Sequence, residues 1–216
     1  YTDEVNYNME RRNLGSSLST LLYRDVLQDL VNAQKDIKSK EALGAVDTAI
    51  KKNKIAVLDV QIVMAYQALV DLFGNVPYSE ALDINLYPYP KYDDAKTIYL
   101  DLAARLDAAI ANLNTSGKSF GTSDFIYAGD VAQWKKFANS LKLRLAITVA
   151  DEPTLAATAK TAAEQAVAGG IIASTADHND DNEGAEAAAA AEKTAEQPIA
   201  DWEKDLIKGP TETAGA

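Results

Sequence analysis

The 216-residue chain has no cysteine and a single histidine, His178. Without cysteine there is no disulfide framework, no thiolate nucleophile and no sulfur-ligated metal site, although the compartment is not fixed by that absence. One histidine leaves a zinc site to carboxylates, and a serine–histidine triad would hang on one residue in a loop-like stretch. No glycine-rich phosphate cradle is present. Positive charge is also scarce, with 21 basic against 32 acidic residues and a formal charge of −11. A chain this acidic repels phosphate backbones, so nucleic acid is not an expected partner, and it is ill suited to lying flat on an anionic membrane. The most apolar run, Ile55 to Val70, is interrupted by Asp59, Gln61 and Gln67, which favours a buried helix over a membrane span. The opening Tyr1-Thr-Asp-Glu-Val-Asn-Tyr7 is polar, so no signal peptide opens the chain.

What is present is ordinary globular material, 47% hydrophobic and 25% charged, in a length that fits one domain or slightly more. Helical spacing dominates. Trp134, Phe137, Leu141 and Leu145 recur at steps of three and four, and Ala138 and Thr148 widen the stripe. Asp130 followed by Gln133 predicts a capping box for this helix, over about 130–149. Lys135, Lys136, Lys142 and Arg144 fall mostly off the stripe. Asn139 and Ser140 compete with the helix backbone and read as a polar contact to a neighbouring loop rather than as a reactive pair.

The spacing predicts further helices from Ser16 or Ser17 to Ile37 (Leu18, Leu21, Leu22, Val26, Leu30), around 41–52, and over 55–73 (Ile55, Leu58, Ile62, Ala65, Tyr66, Leu69, Phe73). Gly74 suits a left-handed helix end and Pro77 bars continuation. Residues 75–91 form an irregular loop in which Tyr87-Pro-Tyr-Pro90 must be extended. A helix over about 93–113 carries Ile98, Leu102, Leu106, Ile110 and Leu113, with Asp93 and Asp94 at its positive end. Asp124-Phe-Ile-Tyr127 reads as a short apolar segment. A last helix, about 153–168, is lined by Ala156, Ala159, Ala163 and Val167 and stops at Gly169-Gly170.

With no convincing alternating strand, the fold is all-α: stacked antiparallel helical hairpins of tetratricopeptide-like type with long irregular loops, over residues 1–175. A clean repeat of roughly 34 residues is not found, so the pairs are degenerate. Residues 176–216 read as an acidic loop and a weakly packed alanine-rich tail, with one apolar patch at Trp202, Leu206 and Ile207.

The leading candidate for chemistry is the tyrosine loop, with Tyr78, Tyr87, Tyr89 and Tyr92. Sugar faces stack on such rings. The competing reading is that the rings staple the loop to the helices or face a protein partner. Tyr7 with Asn6 is a second candidate. The acidic turn 177–183 spaces Asp177, Asn179 and Asp181 as a calcium loop would, but Asn182 and Ala188 replace the glycine and glutamate an EF-hand needs, so a solvated loop is expected. The pairs Asp93-Asp94 and Asp180-Asp181 are adjacent, whereas a glycosidase needs carboxyls facing each other across about 5–10 Å. No metal and no cofactor are expected.

Three segments together resemble the SusD/RagB family. These are Asp71-Leu-Phe-Gly-Asn-Val-Pro-Tyr-Ser-Glu-Ala-Leu82, then Tyr89-Pro-Lys-Tyr-Asp-Asp-Ala-Lys-Thr-Ile-Tyr99, then Asp124-Phe-Ile-Tyr-Ala-Gly-Asp130 with Trp134-Lys-Lys-Phe-Ala-Asn-Ser-Leu-Lys-Leu-Arg-Leu-Ala146. Their order and spacing agree with the family over roughly residues 20–178, and Gly169-Gly-Ile-Ile-Ala-Ser174 continues the match. The hallmark positions are Gly74, Pro77, Trp134, Phe137, Asn139, Ser140, Leu141 and Arg144. The resemblance implies a surface-exposed outer-membrane lipoprotein that binds glycans or peptides and delivers them to a SusC-like TonB-dependent transporter. It implies capture without bond making, so no enzyme. The lipid-bearing cysteine, the leader and the family's long C-terminal part do not occur in this sequence, so the lipid anchor is expected outside this fragment. Outside the resemblance, the alternatives are a helical-repeat scaffold for protein–protein interaction without small-ligand binding, or a hydrolase supported only by plentiful carboxylates.

Overall fold

The computed structural model describes residues 14–174. Tyr7 and Asn6, the acidic turn with His178, the alanine-rich stretch and the Trp202 patch lie outside the described residues. The elements are α1 (Leu14–Thr20), a π-helical run (Leu21–Leu27), α2 (Gln28–Ser39), α3 (Ala45–Phe73), β1 (Val76–Pro77), β2 (Tyr92–Asp93), α4 (Ala95–Asn112), a 3-10 turn (Gly121–Ser123), α5 (Val131–Thr148) and α6 (Ala156–Ala168). The fold is mainly α: α1, the π-helical run and α2 follow one another without a break, and from α2 onward each helix packs antiparallel on the next. Lys51, early in α3, reaches the Lys38 carbonyl at the end of α2, 2.9 Å away. Asn53 meets Asn114 just past the end of α4, while Lys142 of α5 reaches Gln165 of α6.

The middle of the stack is α3, which touches α2, α4 and α5. Its residues from Ala56 to Val70 are therefore buried nearly all round: Val60, Ile62, Val63 and Leu69 are fully covered. Length and apolarity alone would let this helix cross a membrane, but most of it is enclosed by its neighbours. Of the three polar residues that interrupt it, Asp59 accepts from Arg105 at 2.6 Å, and Gln67 Oε1 accepts both Arg144 Nε and Nη2 at 2.9 and 2.7 Å.

Three sequence expectations are corrected here. The break expected near residue 53 is absent, because α3 runs unbroken from Ala45. Its first turns project past the core, so the helix continues while the apolar pattern lapses. In the first helix the fully buried residue is Leu27, while Leu21 is 48% exposed. The π-helical run, with Gln28 N–H bonded to Tyr23 O, winds more residues per turn and rotates Leu27 inward. On α6 the covered positions are Ala159 and Ala166, preceded by Leu155; Ala156 and Val167 face outward.

The hallmark helix α5 carries Trp134, Leu141 and Leu145 into the core with Ala138, while Phe137 is half-buried against it and Thr148 is exposed. Asp130 caps it, accepting from Ala132 N and Gln133 N. The reciprocal leg of the capping box is missing: the Asp130 N–H donates to Tyr127 O and Gln133 Oε1 finds no partner among the described residues. The expected apolar segment before α5 is instead an aspartate-centred turn. Asp124 accepts from the N–H groups of Ile126, Tyr127 and Gly129 at 3.0–3.2 Å and from the Trp134 indole at 2.5 Å. Phe125 points to solvent, whereas Tyr127 is buried edge-on to Trp134 with ring centroids 5.2 Å apart. Gly129 (φ +84) is required twice over, since a Cβ there would lie 2.5 Å from the Gly121 nitrogen.

Asn139 and Ser140 are the loop contact expected of them. Asn139 Nδ2 donates to Gly169 O and Gly170 O, each at 3.0 Å, and Ser140 Oγ accepts from Ile172 N at 2.9 Å. Asn53 of α3 latches the turn after α4 in the same manner, bonding Asn114 O, Lys118 O and Asn114 N at 2.8–3.0 Å.

Replacing Asn139 by Ala leaves two carbonyls short of a donor, and Trp134→Phe leaves Asp124 without the indole; each is expected to cost about 1–3 kcal/mol. Urea unfolding followed by circular dichroism tests this, and midpoints matching the unaltered chain would rule it out.

Candidate functional site

The loop between α3 and α4 is built from its base upward. Gly74, at φ +72, ends α3 with its N–H on Val70 O. Val76 and Pro77 then pair antiparallel with Asp93 and Tyr92. Strands of two residues have no alternation to detect, which is why the sequence suggested none. Asp94 caps α4 by accepting from Thr97 N, and Asn75 Oδ1 accepts from Ala95 N, 2.9 Å away. The adjacent Asp93 turns back instead and accepts from Tyr78 N, Ser79 N and Ser79 Oγ at 2.7–3.1 Å. Its partial burial works against the charge, but the Ser79 and Tyr78 donors outweigh it and hold Asp93 below the usual carboxylate range. Glu80 accepts the Lys91 N–H at 3.0 Å and pairs with its ammonium at 3.2 Å; the two bonds hold its carboxyl low. Thus both carboxylates of the Asp93-Asp94 pair are occupied by the backbone.

A ladder of rings fixes the loop to the helices. Tyr23, on the π-helical run, donates to Pro77 O at 2.6 Å and meets Tyr66 edge-on. Tyr66 in turn meets Tyr78 edge-on, centroids 4.7 Å apart, and the Tyr78 hydroxyl donates to Asp101. Tyr99 closes the other side by donating to Asp71. Burial first, then neighbouring Tyr66 for Tyr23, Tyr78 for Tyr66, and the Asp101 and Asp71 hydrogen bonds for Tyr78 and Tyr99, push these phenols well above their ordinary value.

Tyr78 is therefore committed to the loop's interior. Tyr87, Tyr89 and Tyr92 are not: they are 42%, 93% and 72% exposed, alongside Ile84 and Leu86. Tyr87 and Tyr92 border a groove of about 480 Å³ whose far wall is Tyr23, Arg24 and Gln28 and whose floor includes Pro77 and Leu82. Leu82 sits at φ +66, a strained conformation for a branched side chain, where the chain bends around that floor. The far wall was not legible, since nothing in the sequence ties residues 19–28 to the loop except Tyr23 within an otherwise apolar stripe. Among the described residues, no group of three or more His, Asp or Glu could hold a metal. The groove offers aromatic faces, an exposed guanidinium and carboxylates, which suits a neutral polyhydroxylated ligand bound by stacking and hydrogen bonds.

Because the folded chain holds the protons of these phenols more tightly, the unfolded chain releases them first as pH rises. Stability is expected to be unaffected by them below about pH 10 and to fall above it. Tyrosinate absorbance recorded with circular dichroism checks this: all ten tyrosines ionising while helicity holds would refute it.

The family model described as "Starch-binding associating with outer membrane", SusD-like, matches residues 1–205. Among solved structures, a chitin-binding protein is 32% identical with a TM-score of 0.63, over 76% of this chain and 33% of its own length. A SusD homologue from Bacteroides uniformis is 31% identical (TM-score 0.56, 73% of this chain and 30% of that one). A chitin-binding SusD homologue from Flavobacterium johnsoniae is 28% identical (TM-score 0.57, 71% and 32%). The chain thus spans about a third of the length of these structures. No curated protein matches. With its helical stack, its aspartate–tryptophan turn and the family match over residues 1–205, the chain belongs to the SusD-like family.

Proposed function

We propose that this chain is the helical part of a surface-exposed outer-membrane lipoprotein that captures a glycan and hands it to a SusC-like TonB-dependent transporter, making and breaking no bond. The observation that carries the reading is the rigid loop that holds Tyr87, Tyr89 and Tyr92 out beside the groove, in a chain of this family. Two chitin-binding relatives make β-linked N-acetylhexosamine chains the first ligands to try, with starch, named in the family's description, as the second. Flat pyranose faces would stack on the exposed rings, while Arg24, Gln28 and Asp83 meet the rim hydroxyls. Tyr78 supports this site without touching the ligand. Peptides are the other cargo class for such a groove, and Ile84 with Leu86 would then contribute. Tyr7 is proposed as a further contact on the strength of the sequence alone.

Retardation of the chain in native gels containing glycol chitin or soluble starch tests the capture step. Tyr87→Ala and Tyr89→Ala are expected to weaken retardation by about ten-fold each while leaving the unfolding midpoint in place. If both variants migrate as the unaltered chain does, the loop is not the site. For the transfer step, the chain is expected to retain a β-barrel transporter from detergent-solubilised outer membrane, identified by mass spectrometry. Oligosaccharides incubated with the chain are expected to come back uncut.

A further inference from the structure

We propose that the turn between α2 and α3 is a tip that seats, end-on, on the phosphate-bearing headgroups of an anionic lipid surface. The turn stands clear of the core, and its two aliphatic side chains face water: Leu43 is 87% and Val46 74% exposed. They are held outward by a fixed turn. Gly44, at φ +110, reverses the chain; Thr48 N and Thr48 Oγ1 both donate to Gly44 O at 3.0 and 2.8 Å; and the Leu43 N–H donates to the Asp47 carboxylate at 3.2 Å. A hydrophobic wedge on a fixed convex turn is costly in water and has nothing to gain from the folded chain itself.

Lysines surround the wedge. Lys35, Lys38 and Lys40 come from the end of α2, Lys51, Lys52 and Lys54 from the first turns of α3, and Lys118 from the turn that Asn53 latches. Within residues 35–54 the carboxylates are Asp36, Glu41 and Asp47, three against six lysines, in a chain whose formal charge is −11. Lys40 pairs with Asp36, and Lys51 is spent on the α2 carbonyls, whereas Lys35, Lys52 and Lys118 have no acidic partner among the described residues. The α2–α3 turn is therefore positive within an acidic chain.

The chemistry favours a lipid surface over a protein. The cluster contains lysine and no arginine, so it presents mobile point charges and no planar forks matched to particular carboxylates. The groove beside it is lined by Lys40, Glu41, Asp47, Lys51 and Lys54 together with Ile37, Ala42 and Ile50, so aliphatic surface and lysines continue side by side away from the wedge. Two aliphatic residues ringed by lysines combine shallow insertion with attraction to anionic headgroups, the pairing that interfacial segments use. Net charge keeps the whole chain from lying flat; the tip touches only with its positive end. This inference does not depend on the glycan reading.

The test is co-sedimentation of the 216-residue chain with vesicles of roughly three parts phosphatidylcholine to one part phosphatidylglycerol, against phosphatidylcholine alone. Partitioning to the anionic vesicles is expected to exceed the neutral by at least about ten-fold. The pair Lys40→Glu with Lys52→Glu, and separately Leu43→Asp with Val46→Asp, are each expected to lower it by about ten-fold with the circular dichroism spectrum unchanged. Lys160→Glu on α6, at an exposed position remote in sequence, is expected to leave it within about two-fold. Equal sedimentation with neutral vesicles, or retention by both paired variants, overturns the proposal. So does displacement of the unaltered chain by soluble polyglutamate at equal charge, which would assign the surface to an acidic polypeptide.

Discussion

The Asp124 carboxylate is the point on which the hallmark half of the molecule turns. It neutralises three backbone N–H groups of its own turn and receives the buried Trp134 indole, so the chain can enter α5 without stranding a polar group in the core. Fixing that entry sets the rotation of α5. The same rotation brings Arg144 onto Gln67 of α3 and Asn139 onto the turn after α6. Removing the ring or the carboxylate alone leaves the other desolvated, which is why the two residues act as a unit.

The repeat that the sequence fails to display is present in the chemistry. Asn53 and Asn139 each lie on the first helix of a hairpin, each is buried, and each latches the turn that ends the second helix. Each also packs against a glycine, Gly117 or Gly169, where a Cβ would approach the amide within about 3 Å. One buried amide satisfying two carbonyls is a solution a small helical unit can reuse while its apolar positions drift, so the pattern of large residues loses its period first.

Much of the fold was legible because the stripe residues of α4 and α5 obey helical spacing and are buried on one face only. The failures have local causes. The lysines at 51, 52 and 54 disguise a continuous helix whose start projects into water, and an insertion of wider helical turns moves Leu27 where a regular count would put Val26. In α6 the residues are nearly all small, so composition does not distinguish the covered face from the open one. At the candidate site, the tyrosine loop stood out because proline and tyrosine alternate there. Which ring supports and which is presented could not be read, because that depends on Asp101, Tyr66 and Tyr23, contributed from other helices. The neighbouring Asp93 and Asp94 look equivalent in sequence; only the fold gives one to the helix and the other to Ser79.

The π-helical run carries an implication for how the chain tolerates change. It carries Tyr23 onto Pro77 and Leu27 into the core, and its wider turn sets how the residues before it are rotated relative to those after it. Loss of a single residue there would restore ordinary winding and cut the anchor of the loop from the interior of the stack. Insertions and deletions in this stretch should thus be far rarer among related chains than substitutions, and the exposed loop crown between Ile84 and Tyr89 should show the reverse.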